Sequence, residues 1–400
     1  MDDVVKDFPM LKNNIIYFDN GATTFKPQSV IDSITSYYTM YTSNAHRGDY
    51  NISLIVDRKY EEVRSKVKNF INCCRKEEII FTKGTTESLN MVVFGFLKQK
   101  LKKGDEILLT KVEHASNILP YFNLSKQLGV KIKYIPLNDD LTVSLENVKK
   151  MITKNTKVIS LAHVTNTIGD IRPMEEIGLL CKQNNIYFVI DGAQSVPHIK
   201  TDVKKLNCDF LCFSGHKMLG PTGIGVLYGK YKLLQELQPL VLGGGMNSSF
   251  KDDGTYELKD IPTRFEAGTQ NIEGVIGLGT AIDYLNNIGI EKIHKYEIEL
   301  KKYLIERLKE VDNINIYNKD INSNTLLFNI DKVFAQDTSI YLNKHNICVR
   351  AGNHCAKILK DELKVANTCR VSLYFYNTKQ EIDTFVETLK KSYNIFKEVI

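Results

Sequence analysis

Apolar and polar positions alternate along the chain in two periods, one typical of strands and one typical of helices. Six short apolar runs predict strands: EIIFT (78–82), DEILLT (105–110), VKIKYIPL (130–137), KVISLAHV (157–164), IYFVID (186–191) and DFLCFS (209–214). Amphipathic stretches separate them, such as residues 53–72, where Val56, Tyr60, Val63, Val67 and Phe70 recur every three or four positions. This alternation predicts a mostly parallel sheet covered by helices.

The pattern changes after residue 285. A long helical stretch begins near Glu291, with Tyr296, Leu300, Leu304 and Leu308 on one face, and three strand-like runs (324–331, 347–352, 369–376) and two more helical stretches follow. We therefore expect a large α/β domain over residues 15–285. A smaller α+β domain should comprise residues 286–400 together with 1–14, since 400 residues exceed what a single core usually accommodates.

Composition and charge narrow the class of protein. With 43% apolar and 25% charged residues the chain is typical of a globular protein, and its net charge of +6 is spread without a block of like charges, which disfavours nucleic-acid binding. No apolar run approaches the roughly 20 residues needed to cross a bilayer, and the N-terminal MDDVVKDFPML lacks an apolar signal segment. We expect a cytoplasmic protein without nucleic-acid or membrane partners.

The eight cysteines contain no C-x-x-C pair, which argues against a zinc ribbon, and we predict no metal site. Cys208 and Cys212 lie in CDFLCFS (208–214), which is strand-like, and should be buried. Cys355 differs because it lies in RAGNHCA (350–356), where a loop is expected and a thiol can be reached. The spacing alone leaves three readings of Cys355 open: metal ligand, buried filler or nucleophile.

Polar residues follow the carboxyl ends of several predicted strands, where open α/β sheets bind ligands. Gly84 allows a tight turn, and Thr85 and Thr86 then lead into a helix. Their hydroxyls, the free backbone N–H groups and the helix dipole favour an anion site, an ordinary threonine N-cap being the alternative. His114 follows run 105–110 and could stack on a ring or move a proton, or it could be satisfied by local hydrogen bonds.

An acid and an amine follow two further strands. Asp191 ends run 186–191, and a buried carboxylate there needs a cationic partner. Lys217 follows run 209–214 and could carry Schiff-base chemistry or be a solvated surface lysine. The two are 26 residues apart, about one strand–helix–strand crossover, so both reach the same sheet edge. This combination fits pyridoxal 5′-phosphate, and neither G-x-G-x-x-G after the first strand nor G-x-x-x-x-G-K-[ST] is present.

Taken together, the motifs resemble those of class-V, fold-type I pyridoxal phosphate enzymes, most closely the SUF-type (group II) cysteine desulfurases. The resemblance runs nearly end to end through YFDNGATT, NAHRGDYNIS, TKGTTESLN, VEHASN, HVTNTIGD, VIDGAQS, FSGHKMLGPTGIG, RFEAGTQN, RAGNHCA and CRVSLYFYN. It implies the type I fold of pyridoxal phosphate-dependent transferases. That fold has a large domain with a mostly parallel seven-stranded sheet, and a smaller α+β C-terminal domain that carries the active-site cysteine loop.

The resemblance also implies roles for the matching residues. The catalytic residues would be Lys217, which bonds the cofactor's aldehyde, His114, which stacks on its ring, and Cys355, which accepts sulfur. The other cofactor ligands would be Asp191 at the ring nitrogen, Gln194 at the phenolic oxygen, Thr85, Thr86, Ser214 and His216 at the phosphate, and Asn166. Thr269 would reach the phosphate of the neighbouring subunit, which implies a homodimer. The substrate ligands would be Arg370 as principal carboxylate ligand, with Asn166, Arg350, Ala22, His46 and Arg47.

The implied activity converts L-cysteine to L-alanine, with sulfur left as a persulfide on Cys355 for iron–sulfur cluster assembly through a SUF-type acceptor protein. His114, His354 and Arg350 are candidates for the positive surroundings that favour a thiolate. Three alternatives remain: a selenocysteine lyase acting on L-selenocysteine, an aminotransferase that would not need Cys355, and a non-catalytic scaffold of a sulfur-transfer assembly. The chain departs from the family pattern at Asn353, where histidine is common, at Gly21, where alanine is usual, and over KILKDEL (357–363).

Overall fold

A computed structural model describes residues 2–356, 358 and 362–397 of the chain. Its largest sheet contains β2 (Ile79–Thr82), β3 (Glu106–Leu109), β4 (Lys131–Tyr134), β5 (Thr156–Ala162), β6 (Tyr187–Asp191), β7 (Phe210–Ser214) and β8 (Gly225–Gly229). The strands lie in the order β2-β8-β7-β6-β5-β3-β4, and only β8 runs antiparallel to its neighbours. The predicted mostly parallel, seven-stranded sheet is confirmed.

The six apolar runs correspond to six of these strands, and β8 is the seventh. Strands β2, β3, β7 and β8 are buried along their whole length because helices cover both faces. The two faces form separate apolar layers. Because β5, β6 and β7 are parallel neighbours, the residues that follow them meet at one edge, which brings Asp191 and Ser214 together.

Helices of very different lengths connect the strands. They are α1 (Gln28–Met40), α2 (Asn51–Phe70), α3 (Thr85–Asn90), α4 (Lys98–Lys100), α5 (Leu119–Leu128), α6 (Leu145–Met151), α7 (Met174–Gln183), α8 (Val203–Leu206), α9 (Tyr231–Glu236), α10 (Ile272–Ile288), α11 (Ile290–Leu308), α12 (Ala335–Asn343) and α13 (Lys379–Lys397). A π-helical stretch, Met91–Leu97, joins α3 to α4. None of the helices in the described part of the chain is both long and apolar enough to cross a bilayer.

The C-terminal part builds a second, antiparallel sheet in the order β11-β12-β15-β14. Its strands are β11 (Ile314–Ile316), β12 (Thr325–Ile330), β14 (Arg350–Gly352) and β15 (Thr368–Ser372). The predicted face of α11 packs on this sheet, with Leu300, Leu304 and Leu308 fully buried. β9 (Asn247–Phe250) and β10 (Tyr256–Leu258) form an antiparallel hairpin. In sequence this hairpin lies after the strands of the large sheet and before those of the second sheet.

The N-terminal segment crosses between the two parts of the chain. β1 (Ile16–Tyr17) pairs in parallel with β13 (Ile347–Cys348). Phe8 packs edge-on against both Tyr284 and Phe375, which are neighbours of each other. The chain passes from α10 to α11 at Gly289, whose φ of 92° suits glycine. The division into domains at 285 and the placing of residues 1–14 in the smaller domain stay predictions.

Candidate active site

Lys217 lies on a tight turn, Gly215–Lys217, directly after β7. The N-terminal segment wraps this turn, and the carbonyl of His216 accepts hydrogen bonds from the Thr23 hydroxyl (3.1 Å), the Thr24 N–H (3.0 Å) and the Lys26 amine (3.1 Å). These donors fix the peptide that precedes Lys217. Burial lowers the pKa of Lys217 to about 8, so a substantial fraction of this amine is unprotonated and nucleophilic near neutral pH.

Asp191 is the carboxylate that acts electrostatically on this amine. It is buried at the end of β6, and burial raises its pKa to about 6, although the N–H of Ala193 donates to it at 3.0 Å and Lys217 favours its charged form. Lys217 in turn is held toward its charged form by Asp191. The acid and the amine therefore border one cavity and influence each other electrostatically.

Hydroxyl groups converge opposite these two residues. The Ser214 hydroxyl accepts from the backbone N–H of Thr85 at 2.8 Å and lies 2.6 Å from the Thr85 hydroxyl. The Thr86 hydroxyl lies 2.8 Å from that of Ser116. Gly84 has a φ of 152°, which allows the turn that brings β2 to this point. The cluster offers several neutral donors to an anion such as a phosphate.

His114 presents a neutral ring to the same space. Its Nδ1 accepts from the N–H of Ser116 at 3.1 Å, so the ring hydrogen lies on Nε2. Burial, together with the charge of Lys217, lowers the pKa of His114 to about 4. Nearby, Gln194 donates its amide N–H to the carbonyl of Gly21 at 2.7 Å.

These groups line one cavity of about 200 Å³. The predicted site residues that border it are Ala22, Thr85, Thr86, His114, Asn166, Asp191, Gln194, Ser214, His216, Lys217 and Arg350. Most of the proposed cofactor ligands, separated by up to 132 positions in the sequence, thus face a common space. Among the residues that the structure describes, no three His, Cys, Asp or Glu side chains are grouped as a metal site.

Arg370 lies on β15 behind this cavity and is fully buried. Its Nη2 donates to Asp19 at 2.6 Å and its Nη1 donates to the backbone carbonyl of Asn166 at 2.8 Å, while its Nε has no partner. A Cβ atom on Gly21 would lie 3.1 Å from the guanidinium carbon, so Gly21 lets the backbone approach it closely. Three of its five N–H hydrogens therefore remain for an anion such as a substrate carboxylate.

Cys355 lies on an exposed turn between β14 and β15. Its sulfur is 3.5 Å from Nη2 of Arg350. His114, His354 and Arg350 were predicted to supply positive charge near this thiol. Burial lowers the pKa of His354 to about 3 and that of His114 to about 4, so both imidazoles are neutral near pH 7. Of the three, only Arg350 therefore supplies positive charge. The thiol therefore lies beside a guanidinium that itself borders the cavity.

Besides Arg370 and Cys355, three more predicted residues do not border this cavity. His46 and Arg47 line a neighbouring depression, where Arg47 donates to the carbonyls of Gly244 and Gly268, each at 3.0 Å. Thr269 is exposed and accepts from the amide of Asn44 at 3.2 Å, beside a larger depression of about 470 Å³. Their predicted roles would require a second subunit.

Comparisons with known proteins agree with this geometry. The sequence model of aminotransferase class-V matches residues 16–385. The chain belongs to this family. The family's cofactor is pyridoxal 5′-phosphate, so the predicted cofactor is confirmed. The residues present suit it, since an amine, a buried carboxylate, a neutral ring and converging hydroxyls border one cavity.

The relatives of this class-V enzyme carry a consistent name. A probable cysteine desulfurase of Halalkalibacterium halodurans is 41% identical, over 99% of both chains. One from Staphylococcus aureus is also 41% identical, over 99% of this chain and 97% of that one. A solved cysteine desulfurase of Thermococcus onnurineus is 40% identical with a TM-score of 0.93, and one of Escherichia coli is 32% identical with a TM-score of 0.92, each over 98% of this chain and 97% of the other. The predicted fold is confirmed.

Sequence reasoning missed several residues that support the site. Asp19, Lys26 and the buried pair Glu113–Arg172 were not singled out, although Glu113 accepts from the N–H of Ala162 beside β6 at 2.7 Å. Asp19 and Lys26 lie two residues before and two residues after GATT (21–24), so their closeness to this motif could have indicated a role in the site. For Glu113 the adjacent His114 was the only hint.

Proposed function

We propose that the protein is a pyridoxal phosphate-dependent cysteine desulfurase that converts L-cysteine to L-alanine and retains the sulfur on Cys355. The observation that carries the proposal is the exposed Cys355 thiol, 3.5 Å from Arg350, which itself borders the cavity of Lys217 and Asp191. The names of the relatives support the same reaction. An aminotransferase would have no use for that thiol, and a scaffold would have no use for the buried acid and amine.

Each group of residues has a task in this reaction. When bound, pyridoxal phosphate supplies an electron sink next to the substrate's α-carbon, and Asp191 keeps a proton at its ring nitrogen. Arg370 binds the substrate carboxylate and thereby orients the α-carbon. Lys217, whose pKa burial lowers to about 8, accepts the α-proton and later returns a proton to carbon. His114 stays neutral and packs against the ring.

The sulfur step is a thiol substitution. The Cys355 thiolate attacks the substrate sulfur, an S–S bond forms and the substrate's C–S bond breaks. The electron pair of that bond goes to carbon, which takes up a proton to complete the methyl group of alanine. One thiol of the substrate and one of Cys355 become a CH₃ group and a persulfide, so no outside oxidant or reductant is required. Arg350 stabilises the attacking thiolate.

The finer parts of the proposal concern partners. We infer a homodimer in which Thr269, His46 and Arg47 serve the site of the other subunit, and their distance from the cavity supports this. The exposed turn of Cys355 supports transfer to an acceptor protein of the SUF type for iron–sulfur cluster assembly in the cytoplasm. L-Selenocysteine, whose selenium could be removed by the same groups, is the alternative substrate.

The test compares the loaded wild-type enzyme with two cysteine variants. Cys355→Ser should keep the long-wavelength absorption of the bound cofactor but lose alanine and sulfide production from L-cysteine, whereas Cys74→Ser, which removes another exposed thiol, should behave as wild type. Lys217→Ala should lose that absorption. Alanine production by Cys355→Ser at the wild-type rate refutes the proposal. Parallel assays with L-selenocysteine, with and without an acceptor, decide the substrate.

A further inference from the structure

Cys355 occupies a backbone conformation that its own sequence does not favour. The turn Asn353–Ala356 is closed by the N–H of Ala356, which donates to the carbonyl of Asn353 at 2.8 Å. At its two central positions φ is 50° for His354 and 60° for Cys355. Turns with both φ values positive favour Gly and Asn at these positions. Contacts from outside must therefore hold this turn.

Three segments supply those contacts. The carbonyl of His354 accepts from Nδ2 of Asn166 at 2.7 Å, and the carbonyl of Cys355 accepts from the N–H of Ala115 at 2.9 Å. The His354 ring lies 2.9 Å from the hydroxyl of Thr368. Of the three residues Asn166, Ala115 and Thr368, only Asn166 itself borders the cavity.

Asn166 is connected to the substrate-carboxylate side as well. Its backbone carbonyl accepts from Nη1 of Arg370 at 2.8 Å. Since only the NH₂ end of its amide can donate to the His354 carbonyl, the orientation of the amide is fixed, and its Oδ1 is buried without a partner. The amide therefore keeps one free N–H hydrogen and one unused acceptor.

We propose that Asn166 is a positioning residue that couples occupation of the Arg370 carboxylate site to the conformation of the Cys355 turn. An α-amino acid bound at Arg370 supplies a carboxylate oxygen for the free N–H of Asn166. Satisfying the amide restricts its rotation, which strengthens the bond to His354 and holds the turn with the thiol toward the cavity. The inference rests on the proposed function, in which Arg370 binds the carboxylate of an amino acid.

The experiment measures the rate at which iodoacetamide alkylates Cys355 in the loaded enzyme, by mass spectrometry of its peptide, with and without saturating L-alanine. Alanine has the carboxylate and amine of the substrate but no sulfur, and its binding is followed by the cofactor absorption. We expect alanine to slow alkylation in the wild type by about fivefold or more, a usual size for coupling between sites. In Asn166→Ala the slowing should fall below about twofold.

Two further variants separate coupling from stability and shielding. Asn166→Asp keeps the size of the side chain but cannot donate to His354, so it should lose the coupling too. Thr368→Val loosens the same turn from its other side; it should speed alkylation with and without alanine alike and leave their ratio unchanged. Equal slowing in wild type and in Asn166→Ala would mean simple shielding by alanine and overturns the proposal, as does a wild type that shows no slowing.

The outcome for this inference is distinct from that for the proposed function. If alanine leaves the cofactor absorption of the wild type unchanged, the amino-acid site itself is in error. If alanine changes the absorption but the alkylation ratio does not depend on Asn166, only the coupling is wrong.

Discussion

Asp19 is the carboxylate that faces Arg370, and replacing it with asparagine tests how charge is balanced at the substrate site. The Nη2–Oδ1 distance is 2.6 Å, and the Arg370 side chain is fully buried whereas that of Asp19 is 21% exposed. In Asp19→Asn the guanidinium keeps a hydrogen-bond acceptor but loses its opposite charge. Two effects should follow, one on stability and one on ligand binding.

The size of the stability effect follows from the burial of the pair. Two unit charges about 4 Å apart attract by about 4 kcal/mol at an effective dielectric constant of about 20. Breaking a fully buried pair usually costs about 3–5 kcal/mol. Because Asp19 is partly exposed and asparagine still accepts a hydrogen bond, we expect a loss of about 2 kcal/mol. In a chain of 400 residues this corresponds to a decrease of a few degrees in Tm.

The binding effect has the opposite sign. A substrate carboxylate would replace the missing charge in Asp19→Asn, whereas in the wild type it has to share Arg370 with Asp19. If about 1.4 kcal/mol of the lost attraction is regained on binding, the Kd of L-alanine falls about tenfold. The KM for L-cysteine should fall in the same direction, and alanine should raise the Tm of the variant more than that of the wild type.

Calorimetry and titration of the cofactor absorption measure these two quantities in the loaded enzyme. Glu299→Gln is the matched control, because it removes an exposed acid from the middle of α11. A Tm loss no larger than that of the control would show that the pair contributes no stability. Weaker alanine binding in Asp19→Asn would show that Asp19 orients Arg370 rather than competing for it.

Three other substitutions test the scaffold around the site. Glu266→Gln removes the charge that Arg64 contacts at 2.8 and 2.9 Å in the core, and the free energy of unfolding should fall by about 3 kcal/mol in denaturant titrations. His163→Gln removes an imidazole whose pKa burial lowers to about 4. Below about pH 6.5 this imidazole gains a proton in the unfolded chain but not in the folded chain. Between pH 7 and pH 5 the free energy of unfolding of the wild type should therefore fall by about 2 kcal/mol more than that of the variant. Gly225→Ala places a Cβ 2.4 Å from Cα of Gly84, so apoprotein titrations should show about tenfold weaker cofactor binding.

Each of these has a control. Glu61→Gln removes the other carboxylate on Arg64, at 3.1 Å and 31% exposed, and should cost less than about 1 kcal/mol; an equal cost would contradict the argument from burial. For His163→Gln, a loss of stability between pH 7 and pH 5 equal to that of the wild type would contradict the pKa. For Gly225→Ala the control is Gly243→Ala, whose Cβ would meet no atom closer than 3.7 Å; cofactor affinities that match would contradict the steric argument.

Much of the cofactor site could be predicted because it lies at strand ends. Asp191 and Lys217 each follow an apolar run, and the parallel order of β6 and β7 brings them together without any further information. Strand β8 was missed because it lies behind a run of glycine and proline and has glycine at both ends, which weakens a strand pattern. It is also the one strand that runs antiparallel to the rest of its sheet, so the sequence has no crossover helix before it to indicate a further strand.

The substrate side depended on contacts that no local pattern contains. The ion pair of Asp19 with Arg370 joins residues 351 positions apart. The interpretation of His354 as a source of positive charge was wrong because its neighbours bury the ring and bond it to Thr368. The left-handed conformation of Cys355 could not be foreseen either, since it is imposed by Asn166 and Ala115 from other segments.

The wrapping of the N-terminal segment has a consequence for how the protein is made. Gly21 and Asn20 bond to Ser372, near the other end of the chain, and Asp19 needs Arg370. A ribosome-bound chain that has reached residue 285 already holds Lys217 and Asp191 but neither the arginine nor the thiol. Because synthesis proceeds from the N-terminus at about 5–20 residues per second, the N-terminal segment waits roughly 20–70 seconds for its partners. Cofactor capture can therefore precede release from the ribosome, whereas a site able to hold the amino acid forms only after Arg370 and Ser372 have emerged.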